Sequence, residues 1–433
     1  METSFYLVSA LMLILFVFMF LGVPISIALG ISTTACLMIF TDMDLGFIGQ
    51  NIYGALDNYA LLAVPFFILA SNIMASAGIA RRLLIFSEAV TAGITGGLGM
   101  AGVLSCAIFA AISGSSVATV VSIGTIVLPG MIKEGYDKKF ATALISCSGS
   151  LGILIPPSIL MIIFGVLADV SIGKLFAAGM LPGIVLTALL MLYVHVIAKK
   201  RNYPKSPSLS TRERLKIFIQ NGSALLVPAM ILGGIYGGVV TPTEAAVLAT
   251  FLGLFMGFFI YKELKIKDLP DIFIKSAEMS AMILIILAFA YSFAFLLSFH
   301  RIPDTLTQMM LETGIGPLTF LLLINVILFF AGDFMDPASI MLIFTPLIVT
   351  LGSALGINLI HLGIIVTMNL EIGLITPPVG FNLYVGSSLT GLSLYDVMKA
   401  SVPFMIVIGV ALLLITYFPW LSLFLPKLIF GSV

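Results

Sequence analysis

The sequence predicts an all-α integral membrane protein built as two inverted repeats, each holding a re-entrant helical hairpin and a broken helix. Three observations carry that expectation. Of 433 residues, 60% are hydrophobic and only 9% are charged. A Gly-x-x-x-Pro-Pro motif inside an apolar stretch occurs twice, 221 residues apart. The charges flanking the two copies imply that they cross the membrane in opposite senses. With a mean hydropathy of +1.21, no soluble fold of this length hides so much hydrocarbon from water, so lipid is the solvent. A spanning helix takes roughly 20 apolar residues, which leaves room for about ten to twelve crossings.

Twenty basic and twenty acidic residues cancel, so no charge surplus points to nucleic acid as a partner. The three cysteines (Cys36, Cys106, Cys147) sit in apolar runs without disulfide or metal spacing, and the three histidines (His195, His300, His361) are scattered. Residues 5–40 read as mature membrane helix, with no basic start or small-residue cleavage site. Splitting that stretch at Gly22-Val23-Pro24 gives two crossings.

Charge signs set the topology. Residues 199–216 hold seven basic residues against one acid, Glu213, which makes that loop cytoplasmic by the positive-inside rule. Counting outward, Arg81, Arg82, Lys133, Lys138, Lys139, Lys262, Lys265 and Lys267 fall inside. Asp42, Asp44, Asp57 and the loop around Arg301 and Asp304 fall outside. The last crossing, about 402–425, then leaves both termini on the outer, periplasmic side.

Gly152-Ile153-Leu154-Ile155-Pro156-Pro157 recurs as Gly373-Leu374-Ile375-Thr376-Pro377-Pro378, and the same shift of 221 maps Gly135 onto Gly356, Asp137 onto Asn358, Gly165 onto Gly386 and Pro182 onto Pro403. Pro24 and Pro242 each open a helix after an apolar run. The chain therefore divides near residue 218 into repeats 1–218 and 219–433. The first copy starts at the inner Lys138 and Lys139; the second starts outside near Asn358 and ends inside at Asp396 and Lys399. Such inversion is common in secondary transporters.

Each Pro-Pro pair removes backbone donors in mid-helix, so residues 140–168 and 359–390 are expected to be broken helices. Exposed backbone is untenable against lipid, so the breaks must face protein or a water-filled cavity. Upstream of each, an apolar stretch is interrupted by polar residues: Ser113-Gly114-Ser115-Ser116 on to Thr119, and Gly332-Asp333-Phe334-Met335-Asp336-Pro337. The flanking runs (100–112 and 116–131; 318–331 and 338–352) are short for a crossing. They read as re-entrant hairpins over about 93–132 and 317–352, entering from opposite sides with polar tips at the centre. Helix ends at such tips offer N–H groups to an anion and carbonyls to a cation.

An aspartate at mid-bilayer costs about 2.5–3.5 kcal/mol on insertion scales, so Asp333 and Asp336 need a partner, a cavity or a cation. Glu244, after Pro242, suits a helix N-terminus. Glu278 and Glu371 lie in apolar context, where a structural pairing and a functional role are both open. Arg301, between His300 and Asp304, is placed at an outer helix end, at a solvated interface or against a substrate carboxylate.

These residues resemble the large membrane subunit of the tripartite ATP-independent periplasmic (TRAP) transporters over essentially the whole chain. The match is carried in order by Gly22-Val23-Pro24, the tip at residues 113–119, residues 152–158 and residues 376–382. The resemblance implies an elevator-type, sodium-coupled transporter of organic acids, such as C4-dicarboxylates or sialic acid, in the bacterial inner membrane. It implies a separate small membrane subunit of four helices and a periplasmic substrate-binding protein as partners, and no organic cofactor. Carried over by motif, one sodium site uses Ser113 and Ser115 with Gly152, Ile155 and Pro157. The inverted counterpart uses Gly332, Gly373, Thr376 and Val379, the last through its carbonyl. Asp336 matches an acidic position near the substrate, which Ser116, Asn382 and Arg301 would also contact. Residues 299–304 resemble the sialic acid members.

A self-sufficient sodium/anion symporter would share the features read directly from the residues. A channel would want a continuous polar pore, and none appears outside the tips. An intramembrane enzyme would want a nucleophile with a base, and no histidine lies near the tip serines in sequence.

Overall fold

The protein is described here by a computed structural model covering residues 2–44 and 46–431. It is helical, and the isolated β-bridge among the described residues joins Thr95 to Lys205. Helices α1 (Glu2–Phe20) and α2 (Ile25–Phe40) part at Gly22-Val23-Pro24, with Pro24 at the N-cap of α2. Then come α3 (Gly46–Leu56), α4 (Ala63–Ser76) and α5 (Ile79–Thr91). A hairpin of α6 (Gly97–Ser113) and α7 (Ser116–Lys133) precedes the broken unit α8 (Lys138–Gly149), α9 (Leu151–Leu154) and α10 (Ile159–Leu167). The long α11 (Ile172–Lys200) leads to α12 (Thr211–Asn221), α13 (Ser223–Tyr236), α14 (Pro242–Phe255), α15 (Leu269–Phe299) and α16 (Ile302–Glu312). A second hairpin, α17 (Pro317–Phe334) and α18 (Pro337–Ala354), precedes a second broken unit, α19 (Leu359–Gly373) and α20 (Phe381–Thr390). The chain ends in α21 (Leu394–Tyr417) and α22 (Trp420–Phe430).

Helix starts follow local chemistry. Asp137 caps α8 by accepting from the Phe140 N–H at 2.8 Å, and Asn358 caps α19 by accepting from the Ile360 N–H at 2.9 Å. That gives the 221-shifted Asp/Asn pair a physical role, since both side chains satisfy an orphan donor at a helix N-terminus. The tips behave alike: Ser115 caps α7 and Asp336 caps α18. With the same shift, α7 and α18 agree at both ends. Glu244 and Thr241 form a capping box at the start of α14.

Three expectations need correction. The hairpin helices are 17 or 18 residues long, longer than the apolar runs suggested, because their polar and glycine ends stay helical. At 1.5 Å per residue, 18 residues reach about 27 Å. Among the described residues, nine helices are long and apolar enough to cross a membrane by length and composition, ten counting the bent α12–α13 pair, the lower end of the expected range; shorter apolar helices such as α2, α6, α19 and α22 stand outside that count. The last crossing is not 402–425. Leu394–Tyr417 is one helix, and α22 starts afresh after Pro419, whose ring cannot continue the hydrogen-bond ladder. The division near residue 218 falls inside α12 rather than between elements.

Helices α1–α4, α14 and α15 pack on one another as a framework. The first broken unit and α19 form the most buried part, with α10 packed on α18 and α20 on α7. Each broken unit thus touches the hairpin of the other half. A ladder of buried side chains fixes α19: Asn369 donates to Asn325 on α17 at 2.6 Å, Asn325 donates to Thr416 on α21 at 3.1 Å, and His361 meets Ser422 on α22 at 2.7 Å.

Candidate functional site

Each hairpin tip lies on a helix break, and glycine is what lets it. A Cβ built on Gly152 would stand 2.5 Å from the Ser115 carbonyl oxygen and 2.8 Å from the Ser116 nitrogen. Gly114, in the left-handed region at φ +60, would bring a Cβ to 2.8 Å from the Pro157 carbonyl oxygen. The first tip therefore spans the break from Gly152 to Pro157. At the second, a Cβ on Gly332 would lie 2.8 Å from Gly373 Cα, and one on Gly373 2.8 Å from Gly332 Cα. No larger residue permits that backbone contact.

The breaks release oxygens. The carbonyls of Gly152 and Ile153 would bond in a helix to residues 156 and 157, both prolines without an N–H. Ile155 is buried and extended (φ −79, ψ 124), which turns its carbonyl off the helix axis. At the second break Thr376 N–H reaches the Gly373 carbonyl at 3.3 Å, and Asn382 N–H takes the Leu374 carbonyl at 3.0 Å. The Thr376 hydroxyl donates to the Ile372 carbonyl at 2.7 Å, leaving its lone pairs free. Both Pro-Pro bonds are cis.

At the first tip the Ser113 hydroxyl is fully buried and lies 2.9 Å from the Thr119 hydroxyl. The Ser115 carbonyl accepts from the Thr119 hydroxyl at 2.8 Å, and the Ser115 hydroxyl accepts from the Ala118 N–H at 3.4 Å. Ser113, Ser115, Gly152 and Pro157 thus come together, as do Gly332 and Gly373, with Thr376 three residues on and Val379 half-buried beyond the second Pro-Pro. The donor set is all hydroxyl and carbonyl oxygen, which suits a hard cation and not a thiol- or imidazole-seeking metal. Among the described residues no group of three or more His, Cys, Asp or Glu is placed to hold a metal.

The family model of the tripartite ATP-independent periplasmic transporter, DctM component, matches residues 12–421. The chain belongs to this family. It is 40% identical to the C4-dicarboxylate TRAP transporter large permease protein DctM of Vibrio cholerae, covering 98% of each chain. It is 34% identical to the sialic acid TRAP transporter large permease protein SiaM of the same species, over 95% of this chain and 96% of that one. Among solved structures, the YdaH transporter of Alcanivorax borkumensis shares the fold alone, at 14% identity and a TM-score of 0.63, covering 97% of this chain and 98% of that one. The chain is a multi-pass TRAP transporter permease, not an enzyme.

The residues expected on the substrate side of this TRAP permease fall in different places. Asn382, fully buried, donates to the Ser116 hydroxyl at 2.6 Å and to the Ser146 carbonyl at 3.2 Å, so it ties the second broken unit to the first tip and the first broken unit. Its Oδ1 has no hydrogen-bond partner. Asp336 is occupied as a cap: its carboxylate accepts from the Ser339 N–H at 3.0 Å and from the Ser339 hydroxyl. Asp333, 8% exposed, keeps one oxygen without a partner. Arg301 is exposed between α15 and α16, with a left-handed backbone at φ 52, and among the described residues it makes no hydrogen bond or ion pair to tips or breaks.

A cavity of ≈ 250 Å³ lies where the first tip meets the framework, lined by Ser113, Ser115 and Ala118, by Ser71 and Asn72 of α4, and by Met279 of α15. A second, of ≈ 300 Å³, shares Asn72 and Ala75 and continues to Asp268, Asp271 and Lys275. Asn72 donates to Ser276 at 2.8 Å. These framework residues carry little sequence signal beyond an asparagine inside an apolar run.

Proposed function

We propose that this permease drives sodium-coupled uptake of a small organic acid across the inner membrane by an elevator movement, as the large subunit of a binding-protein-dependent TRAP transporter. The observation that carries the reading is the pair of tip–break junctions, Ser115 on Gly152 and Gly332 on Gly373. Sodium, when bound, supplies a positive charge that takes oxygen ligands. Ser113, Ser115, Gly152, Ile155 and Pro157 would hold one ion, and Gly332, Gly373, Thr376 and Val379 another. Ser116 and Asn382, hydrogen-bonded to each other at the first tip, and Asp336 at the second would contact the acid. Agreement of element ends across the 221 shift supports two inverted halves, with the hairpins and broken units moving against the framework.

A small four-helix membrane subunit would brace the framework, and a periplasmic protein would deliver substrate; both termini would be periplasmic. The named substrates of the relatives include C4-dicarboxylates and sialic acid, both carboxylates. Uptake by the chain with its small subunit in liposomes, with and without the binding protein and against external sodium, tests the reading. Uptake is expected to need both. Uptake driven by protons alone would remove the sodium assignment, and equal uptake without the binding protein would favour a self-sufficient symporter.

A further inference from the structure

Glu371 lies on α19, two residues before Gly373 at the second break, and is 0% exposed. Its carboxylate faces the Ser150 hydroxyl. That hydroxyl donates to the Cys147 carbonyl at 2.5 Å, so it has no proton left to give, and neither Glu371 oxygen has a hydrogen-bond partner. The ion pairs among the described residues lie elsewhere. A fully buried carboxylate without donor or counter-ion is strongly unfavourable, so something positive or a bound proton has to answer for it.

Ser150 stands two residues before Gly152, as Glu371 stands two residues before Gly373, and the shift of 221 maps Ser150 onto Glu371. The two positions are counterparts, and they meet, with α9 packed on α19. Counterparts touch only where two related halves adjoin, so the carboxylate, two residues along the chain from Gly373, stands beside Ser150, itself two residues from Gly152.

We propose that Glu371 is a single anionic counter-charge shared by cations at both helix breaks. The inference rests on the sodium reading above. In a dry core a charge acts well beyond contact distance, so one carboxylate serves two sites without ligating either. Because the cations share one buried charge, the first to bind neutralises part of it and lowers the gain for the second.

Sodium binding to purified protein tests it, read as sodium-dependent thermal stabilisation and as radioactive sodium retained at equilibrium, with choline holding ionic strength. Glu371→Gln is expected to weaken sodium binding roughly tenfold or more, and to do so both in a Ser115→Ala background and in a Thr376→Ala background. The double exchange Ser150→Glu with Glu371→Ser returns the carboxylate to the same spot from the other half, and is expected to recover most of the affinity. Sodium binding unchanged in Glu371→Gln, the neutral mimic, would mean that the acid carries a proton, and overturns the proposal. So does a loss confined to one background, or an exchange variant that folds without recovering affinity. If Glu371→Gln does not fold, the exchange variant decides alone. A wild-type protein indifferent to sodium would instead remove the sodium reading itself.

Discussion

Hydroxyl groups at the tips and breaks have two duties, and the hydrogen bonds show which is spare. Thr376 spends its proton on the Ile372 carbonyl and Ser115 accepts a single long bond from Ala118, so both keep lone pairs for a cation. Loss of one neutral oxygen contact is worth about 1 kcal/mol, so Ser115→Ala and Thr376→Ala are each expected to raise the sodium concentration for half-maximal uptake roughly fivefold. Unchanged sodium dependence in both variants would remove these residues from the cation sites. Asp336 differs, because its carboxylate caps α18 and holds Ser339. Asp336→Ala is expected to cost about 1 kcal/mol of stability from the lost cap, and to abolish uptake at every sodium concentration.

The broken units depend on what proline lacks. Pro156 stands four residues after Gly152, where an N–H would otherwise claim the Gly152 carbonyl. Pro156→Ala restores that donor and extends α9 toward α10. The variant is expected to fold and insert, yet to lose sodium-dependent uptake, with a thermal transition no longer raised by sodium. Full uptake in Pro156→Ala would show that the open break is dispensable. The second break invites the parallel change at Pro377, since Gly373 precedes it by the same four residues.

An elevator would require the hairpins to travel past the framework, and the cavity beside the first tip has one wall on α4 and one on α7. Ala75 on α4 and Val121 on α7 both line it. The native Cys36, Cys106 and Cys147 are buried and free, so introduced thiols react apart from them. In an Ala75→Cys, Val121→Cys protein a short bifunctional thiol reagent is expected to block uptake reversibly, while either single variant treated alone keeps most of its activity. Undiminished uptake in a fully cross-linked sample would mean that the two bodies do not move apart.

Composition alone determined that this chain lives in lipid, because hydrocarbon on that scale has no other favourable solvent. The Gly-x-x-x-Pro-Pro motifs determined where helices break, since a missing N–H is a local fact. Local chemistry also marked the polar tips, and even the cap pair Asp137 and Asn358. Only the tertiary structure decided which tip rests on which break, because backbone contacts such as Gly332 on Gly373 join residues distant along the chain. It alone left Glu371 without a partner where sequence context allowed a pairing, put Arg301 at an exposed helix end, and drew Asn72 to the cavity wall. Burial and partnership belong to packing between elements, and no periodicity within one element encodes them.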